Sequence, residues 1–194
     1  MTDSEISIER LLIVEYERLK EEQKSRIGFR DNLIYATLGS MAAVIAATLS
    51  SKGHANLLLL LPAVSTVLGW TYLVNDEKVS AIGTYIRETL RPRFAAHHDG
   101  VFGWEKAHRG DRFRRSRKVL QLVVDLGTFC VSALAALIVY WVNGPWSWIF
   151  LSVSVLELLV VALLAVQMIR YADLGVEPAA PVADKTPETL ESQS

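Results

Sequence analysis

The stretch "NLLLLLPAVSTVLGWTYLV", residues 56–74, carries no formal charge, and its five consecutive leucines at 57–61 put apolar side chains on every side of a helix. A helix of a soluble bundle keeps a polar stripe along its solvent face. This one has none, so the pattern predicts a helix that crosses a lipid bilayer.

Three further stretches resemble it: 33–49, 119–142 with Asp125 inside, and 146–169 with Glu157 inside. At about 1.5 Å per residue, helices of these lengths span roughly 26 to 36 Å, which matches a hydrocarbon core of about 30 Å. The averages over all 194 residues, 51% hydrophobic with a formal net charge of -1, would fit an ordinary soluble domain. The distribution decides. It predicts an all-α, polytopic membrane protein with four transmembrane helices in two hairpins and cytoplasmic helical extensions. The expected divisions are 1–32, a cytoplasmic amphipathic helix; 33–74, the first hairpin; 75–118, a basic cytoplasmic segment; 119–169, the second hairpin; and 170–194, a tail.

Orientation follows from the cations. Of 20 Lys and Arg residues, 6 precede Leu33, 11 lie between Asn75 and Lys118, 2 follow Ile169, and only Lys52 falls in a hairpin tip. Cytoplasmic loops carry the Lys/Arg excess, so both termini are expected inside, at the cell inner (plasma) membrane. The tips "SSKGHAN" and "NGP" have the Gly, Asn and Pro of tight turns, and Trp141, Trp146 and Trp148 are placed to anchor the outer rim. The first ten residues are acidic and lack a basic n-region, so no cleaved leader is expected. The proline-containing tail 175–194 is expected to be disordered.

Between residues 8 and 27, the positions Ile8, Leu12, Tyr16, Leu19, Gln23 and Ile27 recur at steps of three or four. Glu17 with Lys20, Glu21 with Lys24 and Glu22 with Arg26 can pair on the exposed side. The spacing predicts an amphipathic helix that, past Gly28, runs into the first apolar span as one rod. Two readings of its apolar face stay open: packing within the chain, or an oligomer seam through Leu12 and Leu19. The second apolar helix is expected to extend inward through Val79, Ile82, Ile86 and Leu90 until Pro92 stops it.

The cluster Arg112, Arg114, Arg115, Arg117 and Lys118 abuts the third apolar helix. It is first a topology signal and secondly a contact for lipid headgroups, anionic ones in particular. No nucleic-acid-binding fold accompanies it, so no nucleic acid partner is expected. The phosphate-binding loop, H-E-x-x-H, C-x-x-C and G-x-S-x-G patterns are absent from the sequence, and no enzyme activity, metal or cofactor is expected. His97, His98, Asp99 and His108 fit no standard metal spacing, and the single cysteine, Cys130, forms no intrachain disulfide.

The intramembrane acids are the candidate site. A charged carboxylate near the bilayer midplane costs about 3 kcal/mol, so Glu157 should face protein or water. Gln121, Asp125, Thr128, Ser132 and Ala136 share one polar, small-residue face of the third helix. Gly39, Ala43, Ala46 and Ala47 on the first helix, with Ser65 and Gly69 on the second, offer comparable surfaces. Either Glu157 is a neutral, hydrogen-bonded structural acid, or Glu157, Asp125, Gln121, Thr128 and Ser132 line a polar path for protons or cations.

The segment "EYERLKEEQKSRIGFRDNLIY", residues 15–35, followed by the first hairpin, resembles the small bacterial SLATT-type proteins, two-helix membrane modules associated with nucleotide-signalled conflict systems and held to form pores. The likeness covers about a third of the chain, and the second hairpin departs from it. It implies an effector that acts on the membrane, without assigning roles to residues. The leading expectation is thus a self-associating, channel-like membrane effector controlled through its cytoplasmic helices. The alternative is a membrane subunit that recruits a cytoplasmic protein partner, and the third reading is a lipid-modifying enzyme.

Overall fold

A computed structural model of the chain describes residues 3–50, 55–95 and 114–172. The tip at 51–54, the segment 96–113 with Arg112 and the three loop histidines, and the tail from 173 lie outside the described residues. Among those described there is no strand, and four helices are each long and apolar enough to cross a membrane.

Helix α1, Asp3–Ser50, is a single rod of about 72 Å at 1.5 Å per residue. Gly28 does not interrupt it, and a side chain there would meet open space. Helix α2 covers residues 55–95: a 3-10 turn Ala55–Leu59, an α-helix Leu60–Tyr85, a π-turn Ile86–Leu90 and a last α-helical turn Arg91–Ala95. Pro62 lies in the opening turn of the α-helical part, where a missing N–H costs little. Pro92 does not end the helix as expected. The π-turn before it lets the Arg91 N–H bond to the Ile86 carbonyl, and the extra residue relieves the clash that a proline ring makes with the carbonyl four residues back.

Helix α3 covers residues 114–143 and also contains a π-turn, Gly127–Val131, closed by the Ser132 N–H on the Gly127 carbonyl. Helix α4 is Trp148–Tyr171. The link between them is tight. The Gly144 N–H reaches the Tyr140 carbonyl at 2.6 Å, and a Cβ on Gly144 would fall 2.7 Å from that same oxygen, so only glycine fits. Tyr140 donates to the Pro145 carbonyl, Trp141 donates to Ser154, and Trp141, Trp146 and Trp148 stack edge to face around the turn.

Helix α2 is the centre of the bundle and packs against the other three. Helix α1 lies antiparallel along it, and among the buried and half-buried positions of α1, which also include Glu15, Lys20 and Ile34, the series Leu12, Tyr16, Leu19, Gln23, Arg26, Arg30, Leu33, Thr37 alternates steps of four and three. That is the period of a coiled-coil seam. Opposite stand Val79, Ile82 and the fully buried Ile86 and Leu90, so Leu12 and Leu19 face α2 of the same chain.

Two apolar clusters fill the bundle. One, toward the α1–α2 extension, joins Leu33, Tyr72, Leu73, Phe129, Cys130, Ala133, Val161, Leu164 and Met168. The other, toward the helix turns, joins Leu58, Leu59, Leu61, Ala136, Leu137 and Tyr140. At Gly69 three helices approach closely: a Cβ there would sit 2.7 Å from Leu164 and 3.0 Å from Phe129. The outer sides of α1 and α4 stay apolar and exposed, with Leu38, Leu49, Leu156, Leu159 and Leu163 among them.

Candidate functional site

The seam between α1 and α2 changes character along its length. Near the free end it is apolar, flanked by a hydrogen bond of 2.7 Å from the Tyr85 hydroxyl to Glu15. That acceptor holds the exposed Tyr85 hydroxyl above the ordinary tyrosine pKa. Further along it turns polar. Gln23 donates to the Val79 carbonyl at 3.2 Å, Asn75 donates to the Arg26 carbonyl at 2.6 Å, and Arg26 pairs with Glu22 at 2.6 Å as the sequence suggests. Arg26 and Asn75 also border an open hollow of about 600 Å³.

One turn deeper, Arg30 bridges α1 to α2 through Asp76 at 2.8 Å, and its guanidinium stands 5.9 Å from the centre of the Tyr72 ring. Tyr72 is the link to α3. Its hydroxyl accepts from Gln121 at 2.8 Å and hydrogen-bonds Asp125, while Gln121 also donates to Asp125 at 2.8 Å. Arg30, Asp76, Tyr72, Gln121 and Asp125 therefore form one polar junction across three helices, set directly against the apolar cluster.

Of the path residues read from the sequence, the structure brings Gln121 and Asp125 together and separates the rest. The π-turn in α3 adds a residue between Asp125 and Ser132, so Phe129, Cys130 and Ala133 turn inward. Thr128 and Ser132 are left at the margin, and the Ser132 hydroxyl bonds back to the Thr128 carbonyl of its own helix. Glu157 lies on the inward face of α4 with Ser154, Val161, Leu164 and Met168, but it does not meet Asp125. Phe129 and Leu164 mark a common level, from which Asp125 lies one turn one way and Glu157 two turns the other, a separation of about 15 Å along the axis. The intervening side chains are apolar and buried. Glu157 makes no side-chain hydrogen bond among the described residues, and its Oε2 is enclosed without a partner.

The small surfaces divide in the same way. Ser65 and Gly69 are buried at the centre, whereas Gly39, Ala43, Ala46 and Ala47 face outward, because α1 turns Leu33, Thr37, Met41, Val44 and Thr48 toward its neighbours. Among the basic residues, Arg117 and Lys118 ride the opening turns of α3, where the backbone of Arg114 and Arg115 is also helical. The sequence points to Arg26 only as a partner of Glu22 and not as a seam residue, and it does not single out Arg30, Tyr72, Asn75 or Asp76 for the site. Its template expected Ile27 at the seam, and the signal that would have found Arg26 and Arg30 is the seven-residue repeat continued through polar positions. No family model, no curated protein and no solved structure matches the chain.

Proposed function

We propose that this chain is a non-enzymatic integral membrane protein of the inner (plasma) membrane, with both termini cytoplasmic. In this reading it acts as an oligomeric, channel-like effector whose state is set through its cytoplasmic α1–α2 hairpin. Four helices of sufficient length, with broad apolar outer faces on α1 and α4, support insertion, since a surface of that extent is poorly tolerated in water. The observation that carries the control reading is continuity. Helices α1 and α2 pass without a break from the extension into the apolar bundle, and the Arg30–Asp76 bridge with the Tyr72 contact to Asp125 ties that hairpin to α3. A displacement of the hairpin is therefore passed on by stiff rods to the helix that bears the buried acid. The resemblance of residues 15–35 and the first hairpin to SLATT-type proteins supports an effector. Arg117, Lys118 and their basic neighbours would hold anionic headgroups.

A specific observation favours a second reading. Ile8 and Leu11, 59% and 66% exposed on the extension beyond the apolar spans, offer a cytoplasmic protein partner an apolar strip. In a Cys130→Ser background, Asn143→Cys should label from outside intact cells and Ser116→Cys should not; the reverse would overturn the orientation. For function, reconstituted vesicles should pass protons or cations above protein-free controls. Arg30→Asp or Asp76→Arg alone should change that flux, and the two together should restore it. Wild-type vesicles without flux would refute the channel-like reading and leave the docking subunit.

A further inference from the structure

We propose that Glu157 and Ser65 form a binding site for a small monovalent metal cation in the middle of the four-helix bundle. Between the two apolar clusters the chain places a polar layer, and two of its oxygens are stranded: Ser65 is 1% exposed with its Oγ unpartnered, and the Glu157 Oε2 is enclosed and unpartnered. Several other hydroxyls of the bundle have partners. Thr37, Thr48 and Thr71 each bond the carbonyl four residues back at 2.8 Å, and Ser154 accepts from Trp141. Ser65, in the same type of position, does not.

Helices α2 and α4 run in the same direction, and Gly69 touches Leu164. Ser65 lies one turn before Gly69, and Glu157 lies two turns before Leu164, so the two are within about one turn, or 5 Å, along the axis. One turn before Ser65, the buried Pro62 brings no N–H to the Leu58 carbonyl. Carboxylate, hydroxyl and carbonyl oxygens are hard donors that suit a hard cation. The charge balance selects its valence. No group of three or more His, Cys, Asp or Glu side chains that could hold a metal gathers among the described residues, and Glu157 stands alone at this level. One negative charge with an enclosed oxygen is neutralised by one positive charge, whereas a divalent ion would leave an uncompensated charge against the apolar interior.

This inference deepens the reading of the protein as a membrane effector, but binding is measurable without conduction. The full chain in lipid nanodiscs should show a saturable rise in unfolding temperature of several degrees as sodium chloride replaces choline chloride at constant ionic strength. Glu157→Gln, which keeps shape while removing the charge, should abolish the rise. Ser65→Ala should weaken it at least several-fold in sodium concentration, and Ser154→Ala on the same helix face should retain it. An unfolding temperature identical in sodium, potassium and choline, or one that responds to pH alone, would mean that Glu157 is only a protonated acid and would overturn the site. A sodium response that persists in Glu157→Gln would overturn it equally. A sodium-dependent shift in a protein without flux supports the site while refuting conduction, and flux without the shift does the reverse.

Discussion

Two acids in this chain are held within the apolar half of the fold under opposite conditions. Asp125 is 9% exposed and receives Gln121 and Tyr72, with Arg30 across the Tyr72 ring. Glu157, about 15 Å away along the bundle, makes no side-chain hydrogen bond among the described residues, and its Oε2 is enclosed without a partner. Burying an acid among donors and burying one without them are different physical acts: the first is structural cement, while the second leaves a group that keeps its capacity for something else. The polar face of α3 suggested by spacing, Asp125 with Thr128 and Ser132, is what the π-turn at Gly127–Val131 undoes; Glu157 is kept from Asp125 by its level along the bundle.

The contrast breaks most severely where the bundle separates the two acids. Gly69→Leu would drive a side chain into Leu164 and Phe129, which already crowd the position, and should cost about 3 kcal/mol or abolish the folded protein. Denaturant titration in mixed micelles reads that loss, and a Gly69→Leu protein as stable as wild type would show that the helices are not in contact there.

The acids themselves come next. Asp125→Ala strands Gln121 and Tyr72 and should destabilise by about 1–3 kcal/mol. Glu157→Leu strands no partner, so in sodium-free buffer it should lie within about 0.5 kcal/mol of wild type by the same titration. Equal losses at the two sites would erase the comparison. This differs from what the sequence suggests, namely that removing Glu157 would leave hydroxyl partners unsatisfied; in the structure it has none.

A smaller effect is expected at the edge of the Asp125 junction. Arg30 and Asp76 are only partly enclosed, with side chains 23% and 42% exposed, so solvent screening limits their bridge to about 1 kcal/mol. A double-mutant cycle with Arg30→Ala and Asp76→Ala should return a coupling of that size, and zero coupling would show the bridge to be inert. The smallest effect sharpens the comparison. Deleting the exposed Val131 removes the extra residue of the π-turn and leaves Asp125 and the shortened C-terminal half facing as before, so stability should change by less than about 1 kcal/mol. A large loss would mean that the π-turn itself is required.

What the sequence determined by itself is the local and the periodic. The uninterrupted apolar runs define four helices long enough to cross a membrane, the spacing of Leu12, Tyr16, Leu19 and Gln23 marks one side of a seam, and the lack of a breaker before Leu33 predicts the single rod of α1. Hydropathy repeats encode such features because a helix places every third or fourth side chain on one face. What each face meets was decided only by tertiary structure. That Arg26 and Arg30 belong to the seam depends on Asn75 and Asp76, 49 and 46 residues away. That Gly39 and Ala43 face outward depends on which side of α1 fits α2. That Ala133 rather than Ser132 packs inward goes with one backbone bond from Ser132 to Gly127, which shifts the following face of α3 by a residue and leaves no trace in a 3.6-residue pattern. Glu157 was legible as an unusual residue, but its lack of a partner is a property of three other helices and could not be read from its own.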